Sequence, residues 1–392
     1  MPQRRPCVVI SHVFVAIFLT ACGESPQSDA PVPDPDAGAM ELPLLPPGNH
    51  LGIWPTYEVL PVGTAAAADA RWSEARSAGM AVARVHVSWA ELEPAPGSFD
   101  LEALQRGLEA SDGLAFHLLI ETIDSDGYTV PPDLADPANP YALAGGITFD
   151  DPVVTARFAA LLDQVLPALD GRPVFAFSVG NEPDNYLDDV APSSTEGLQW
   201  VDALAGFLAA ARQKIHATRP EIAVAITLRQ GSWAKGITTL GPVIEAGDAL
   251  VFNYYCQDLD FQVQPATVIE AELDEVIASA GGRPLIIQEL GCPAGTASSS
   301  INASATAQAD FFREVGRIMM VRPSLRAAFG FQLVDWSPEL TAIIAQVLRD
   351  EGYDELADMF AETLSTIGLL RYGDGTARPG WSAFLEALQS LE

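Results

Sequence analysis

The chain has 392 residues, 48% of them hydrophobic, enough for a substantial core in one large or two medium domains. Its 52 acidic against 21 basic residues give a formal net charge of −31. A surface of that sign repels polyanions, so nucleic acid and acidic polysaccharides are poor partners, whereas neutral substrates meet no electrostatic penalty.

At the N-terminus, Arg4 and Arg5 precede a mostly apolar run from Cys7 to Leu19, too short for a comfortable membrane span and patterned as a secretory signal. The run closes on Leu19-Thr20-Ala21-Cys22, which resembles the lipobox of bacterial lipoproteins. That resemblance implies removal of residues 1–21 and lipidation of Cys22; a plain signal peptide with a chance cysteine is the alternative. Residues 22–49, rich in Pro, Asp, Ser and Gly, bury too little apolar surface to fold and are expected to form a disordered tether to a domain spanning 50–392. The expected product is exported and lipid-anchored at the cell envelope.

From about residue 50, short apolar runs alternate with stretches of helical period. Candidate strands fall at 51–54, 82–88, 114–121, 173–180, 222–228, 249–255, 284–288 and 327–334. Candidate helices follow at 66–79, 101–111, 152–168, 196–217, 235–246, 267–280, 304–321 and 379–391. Eight such units predict an α/β fold of the (β/α)8 TIM-barrel type, a single domain with its site at the C-terminal ends of the strands. A doubly wound open sheet is the competing architecture, but it calls for a Gly-rich phosphate loop, and neither G-x-G-x-x-G nor G-x-x-x-x-G-K-[ST] occurs. Two connections are long, 122–150 after strand three and about 337–367 after strand eight, the second with helical period in "DELADMFAETLSTI", where loops shape a cleft.

On this scaffold Asn181-Glu182-Pro183 closes strand four and Glu289 closes strand seven, so two carboxyls can converge over the barrel mouth. Side chains at i and i+2 share a strand face, which groups Asn253 with Tyr255 and turns Tyr254 away. An arginine directed into a barrel, as Arg84 would be, needs an anionic partner. With no HxH, HExxH or CxxC spacing, the sequence gives no support to a metal, and no cofactor is expected.

This combination resembles glycoside hydrolase clan A, the retaining (β/α)8 enzymes that include cellulase-like, mannanase-like and β-glucosidase-like families. The resemblance covers about residues 50–392, including "SWAELEPAPGSFD" and "GLLRYGDGTARPGWSAF". It implies Glu182 as general acid/base and Glu289 as nucleophile, with Asn181 on the sugar 2-hydroxyl. It further implies Tyr255 bonded to the nucleophile, Arg84 beneath it and Trp336 as a sugar platform. Trp54, Trp89, Tyr128 and Tyr141 are weaker candidates for subsite walls. The cellulase-like pattern places histidines near the ends of strands three and six, where this chain reads "IETID" and "FNYYCQ"; Glu121 has no assigned role. The implied activity is retaining hydrolysis of a neutral β-linked glycan or glycoside, by a monomer acting on an oligo- or polysaccharide. The alternative is a surface lipoprotein that binds carbohydrate on such a barrel without turnover.

Of the four cysteines, Cys256 and Cys292 remain in the domain, just past the ends of neighbouring strands six and seven; an exported chain meets oxidising conditions, and a disulfide is expected, with two separate buried thiols as the alternative. The anchor makes its own prediction. Buried acyl chains contribute about 0.8 kcal/mol per CH2, so Cys22→Ser should convert a membrane-bound protein into a soluble one. Retention of the variant on carbonate-washed membranes would move the anchor elsewhere.

Overall fold

The computed structural model describes residues 42–55, 60–125, 127–189, 193–234, 238–350 and 352–392. The signal, Cys22 and most of the tether lie outside the described residues. Eight parallel strands form a near-closed barrel: β1 (His50–Ile53), β2 (Val82–Ser88), β3 (Ala115–Glu121), β4 (Val174–Asn181), β5 (Ala223–Arg229), β6 (Leu250–Tyr255), β7 (Leu285–Gly291) and β8 (Leu325–Gly330). Hydrogen-bonded neighbours follow the order β1-β8-β7-β6-β5-β4-β3-β2. At the seam β1 and β2 lie side by side, so close that a Cβ on Gly52 would stand 2.8 Å from Val82 O.

The strands are buried on both faces, which is why they read as apolar runs rather than alternations. Helices cover the outside: α1 (Val62–Ser77), α2 (Glu102–Ala110), α3 (Pro152–Ala168), α4 (Thr195–His216), α5 (Gly241–Ala246), α6 (Ile269–Ser279) and α7 (Ala305–Val321), then α8 (Pro338–Asp350), α9 (Asp354–Thr366) and α10 (Pro379–Ser390). Their starts are fixed locally. Asp151 caps α3 by accepting from Val153 N, with Pro152 in the first turn, and Ser304 caps α7 by accepting from Ala307 N.

Three expectations change. The domain begins before residue 50, because Leu42 and Leu45 are buried with Val82, Ala115, Phe175 and Phe329 at the floor of the barrel. Burying each leucine contributes about 2 kcal/mol, so the last residues of the expected tether belong to the fold. Strand eight runs 325–330 instead of 327–334: beyond Gly330 the chain leaves the ladder, with Phe331 N donating to Leu290 O and Leu333 N to Trp54 O. The long connection after β8 holds two helices, α9 where "DELADMFAETLSTI" has helical period and α8 ahead of it where none was expected, forming a hairpin with an interior of Ala345, Leu348 and Ala357. For the helix expected at 235–246, residues 235–237 lie outside the described ones and α5 occupies 241–246.

Cys256 and Cys292 are joined by a disulfide with a Cα–Cα distance of 5.1 Å, tying the end of β6 to the end of β7. The bond closes a loop of sequence separation 36. By the chain-entropy account that loop contributes about 3–4 kcal/mol to stability. Non-reduced peptide mass spectrometry of oxidatively folded protein should recover the linked pair, and Cys256→Ala with Cys292→Ala should lower the unfolding free energy by about that amount in denaturant titrations. Free thiols at both positions would exclude the bond.

Candidate active site

The barrel is filled in layers, and the layers rise from apolar to polar. Above the Leu42 and Leu45 floor, Phe175 stacks on Phe329 at 6.4 Å. His117 lies beside both rings, its Nε2 2.9 Å from Ser178 Oγ. Ser178 Oγ is 3.1 Å from Thr227 Oγ1, whose hydroxyl donates to Gln288 Oε1 at 2.6 Å. Gln288 Nε2 in turn donates to Asn181 Oδ1 at 2.8 Å, and Asn181 Nδ2 to Asp124 Oδ1 at 3.0 Å. Asn181, 1% exposed, is thus held on both sides of its amide before any ligand arrives.

Both glutamates follow irregularities in their strands. Between β4 and β5 the register passes from Ser178↔Ala225 to Asn181↔Thr227, three steps against two. Between β6 and β7 it passes from Phe252↔Ile287 to Asn253↔Glu289, so β7 carries the extra residue, Gln288. A bulge breaks strict alternation. Gln288 therefore reaches Asn181 and Thr227 while its neighbour Glu289 reaches the mouth.

Glu182 itself has φ 47° and ψ 42°, a left-handed conformation that costs a residue with a side chain about 1–3 kcal/mol. The turn behind it holds that geometry: Glu182 N donates to Thr227 O and Asn185 N to Glu182 O. Asp184, fully buried, accepts from Arg229 N and from the Ser232 hydroxyl, while Arg229 Nη2 donates to Asp184 O at 2.9 Å.

The carboxyls have different surroundings. Glu182 accepts from Ser125 Oγ and from Asn253 Nδ2, each at 2.8 Å; Asn253 also donates to Asn181 Oδ1. Burial, and next the negative charge of Glu289, push the Glu182 carboxyl up to about 7. Glu289 pairs with Arg84 Nη1 through Oε1 at 3.0 Å and accepts from Tyr255 OH through Oε2 at 2.6 Å. Arg84 stands 4.2 Å from the Trp54 ring. Tyr254, on the opposite strand face, donates to Glu272 outside the barrel.

The structure thus brings Glu182, Glu289, Asn181, Arg84, Asn253 and Tyr255 together through hydrogen bonds and an ion pair, and of these Glu182, Glu289, Asn253 and Tyr255 line one pocket with Trp336. Trp89 is not a wall: it is fully buried, donates to Glu93 and meets Phe158 edge-on, because the helical turn capped by Ser88 rotates it into the core. Trp54 lies against Arg84. Tyr128 accepts from Trp200, and Tyr141 packs on Tyr186.

Sequence reasoning missed Ser125, Asp124, Asp184 and Gln288. Glu121, left without a role, stands 2.6 Å from His86 Nε2. Burial, reinforced by Arg84, lowers His86 to about 3, and burial raises Glu121 well above the carboxylate range, so both groups favour their neutral forms. Burial likewise raises Asp124. Among the described residues no cluster of His, Cys, Asp and Glu is suited to a metal, and no helix is long and apolar enough to cross a membrane.

The chain matches no protein-family model and no curated protein. Solved structures do share its fold. A GH5_18 variant from Bifidobacterium longum subsp. longum in complex with Manb1-4GlcNAc has a TM-score of 0.59 at 17% identity, over 87% of this chain and 78% of that one. Exo-beta-1,4-mannosidase Op5Man5 from Opitutaceae bacterium strain TAV5 has 0.58 at 18%, over 88% and 60%. Bacteroides uniformis beta-glucuronidase 2 has 0.57 at 12%, over 87% of this chain and only 35% of its own. The chain thus spans about a third of the glucuronidase and three fifths of the mannosidase. What these structures share with the chain is the (β/α)8 barrel.

The inequality between the carboxyls can be measured directly. Carbon NMR of labelled glutamate carboxyls, assigned with Glu182→Gln, should show Glu182 titrating at about 7. Glu289→Gln should lower that value without restoring the ordinary range, because burial is the larger cause. Titration of Glu182 near 4, the value of an unperturbed glutamate at about 4.3, would remove the asymmetry.

Proposed function

We propose that the protein is a retaining glycoside hydrolase acting on a neutral β-linked glycan or glycoside, held at the cell envelope through Cys22. The observation that carries the reading is the unequal pair: a protonatable Glu182 at about 7 and a Glu289 bonded by Arg84 and Tyr255, both opening on one pocket. Double displacement needs that inequality.

In the first step Glu289 attacks the anomeric carbon, the bond to the leaving oxygen breaks, and Glu182 gives its proton to that oxygen. The product is a glycosyl ester on Glu289. In the second step Glu182, now ionised, takes a proton from water, whose oxygen attacks the same carbon and releases Glu289. Arg84 and Tyr255 face the charge that leaves and returns to Glu289. Asn253 and Ser125 aim the Glu182 carboxyl. Asn181 stands ready for the sugar 2-hydroxyl, and Trp336 offers a ring to an apolar sugar face.

Because Op5Man5 is an exo-beta-1,4-mannosidase, β-mannosides head the substrate panel, followed by β-glucosides and other neutral aryl β-glycosides. On a responsive sugar, Glu289→Gly should abolish turnover, with azide restoring a slow reaction that gives a glycosyl azide of inverted configuration. Glu182→Ala should lose about 10²–10⁴-fold on substrates with poor leaving groups. With a good leaving group it should accumulate the glycosyl ester, and azide should then give the retained product. For the wild type, loss of the protonated acid should bring kcat/KM down as pH rises through about 7. Equal, azide-insensitive losses in the two variants would take these roles from the pair.

A further inference from the structure

The pocket is chemically two-sided. Around the two carboxyls its lining is made of hydrogen-bonding groups: Glu182, Arg229, Asn253, Tyr255 and Glu289. Toward β6, β7 and β8 the lining changes to Leu259, Phe261, Phe331, Leu356, Phe360 and Ile367, much of it supplied by the α8–α9 hairpin and its approaches. The polar side chains on this second side, Gln257, Asp258, Glu272 and Thr363, each bond the protein, Glu272 by accepting from Tyr254 OH. Gln257 Nε2 donates to Phe261 O and to Thr363 Oγ1. The Asp258 carboxylate accepts from Asp260 N, Gln262 N and Gln264 Nε2.

A second sugar placed there would lose water from several hydroxyls and find few partners, at a cost of about 1–3 kcal/mol for each unsatisfied group. Sugar platforms use flat rings beside hydrogen-bonding groups; a wall with leucine and isoleucine among its rings suits an aliphatic or aromatic body instead. We propose that the substrate is a glycoside with an apolar aglycone. Its sugar lies against the polar side and its aglycone against Leu259, Phe261, Leu356 and Phe360, with the glycosidic oxygen between Glu182 and Glu289. The proposal rests on the hydrolase reading and narrows it from glycans to glycosides of apolar alcohols.

The test has two arms. In the first, the sugar is found with 4-nitrophenyl β-glycosides, and methyl, butyl and hexyl β-glycosides of that sugar are then compared with its β-linked disaccharide. Each buried methylene should raise kcat/KM about three- to fourfold until the wall is filled. The disaccharide should fall below the hexyl glycoside, and Leu356→Gln and Phe360→Ala should each narrow the hexyl-to-methyl ratio. A flat series, or a preference for the disaccharide, overturns the proposal while leaving the hydrolase reading intact. The second arm needs no turnover. The neutral fluorophore N-phenyl-1-naphthylamine should bind the wild type and bind Leu356→Gln at least threefold more weakly, with circular dichroism confirming the fold of the variant. Absence of wild-type binding, or equal affinity in the folded variant, overturns the proposal. Binding without hydrolysis of any aryl glycoside would sink the proposed function and keep the apolar site.

Discussion

A single buried ion pair organises the barrel mouth. Arg84 and Glu289 have side chains 0% and 3% exposed. Taking two charges out of water costs several kcal/mol per ion unless the surroundings replace the lost solvation. The surroundings do so: the Trp54 ring faces the guanidinium, Gln288 O accepts from Arg84 Nη1, and Tyr255 donates to the carboxylate. Burial and the same guanidinium keep His86 and His117 deprotonated, each lowered to about 3, while burial raises Glu121, Asp124 and Glu182. The result is a charged pair set beside neutral hydrogen-bonding groups, a setting in which a carboxylic acid and a carboxylate coexist side by side.

The backbone serves that arrangement at two points. A regular strand presents every second residue inward, which would give the barrel either Gln288 or Glu289 but not both. The extra residue in β7 supplies both, one to lock Asn181 from below and one to face the pocket. On β4 the register slip and the left-handed Glu182 have a similar effect, and the buried Asp184 and Arg229 keep the turn closed. The strain at Glu182 is local, and its restraints are specific hydrogen bonds to β5.

Much of this is legible in the sequence because parallel barrel strands are apolar throughout and end at the active face, so Glu182 and Glu289 announce themselves as polar residues closing apolar runs. The i, i+2 rule places Tyr255 and Asn253 together and sends Tyr254 outward, as the structure has it. Gln288 is not legible, since alternation fails at a bulge that no residue type marks. Asp124 lies in a strand of two residues, Ile123–Asp124, too short to show a period, with Ser125 just after it, and Asp184 reads as a solvated acid after a proline. The hairpin helix α8 is a different case: Thr341, Ile344, Ala345 and Leu348 do carry the i, i+3, i+4, i+7 pattern, diluted by charged neighbours in a segment read as a connection.

The hairpin, whose α9 also bonds the loops after β6 and β7 through Thr363, Glu362 and Thr366, has an apolar interior of its own. Its interior is Ala345, Leu348 and Ala357 with Tyr353, Leu356 and Phe360, and it reaches the barrel through the Phe331, Trp336, Ile344, Leu364 and Ile367 cluster. None of its residues bonds Glu182, Glu289, Arg84 or Asn181 in the contacts described above. Mutations accumulating in α8 and α9 therefore reshape one wall of the pocket while Glu182, Glu289 and the side chains bonded to them stay fixed. The architecture thus keeps the carboxyl pair and the wall beside it on separate pieces of chain, so descendants of this barrel can change the shape of the pocket without disturbing its charges.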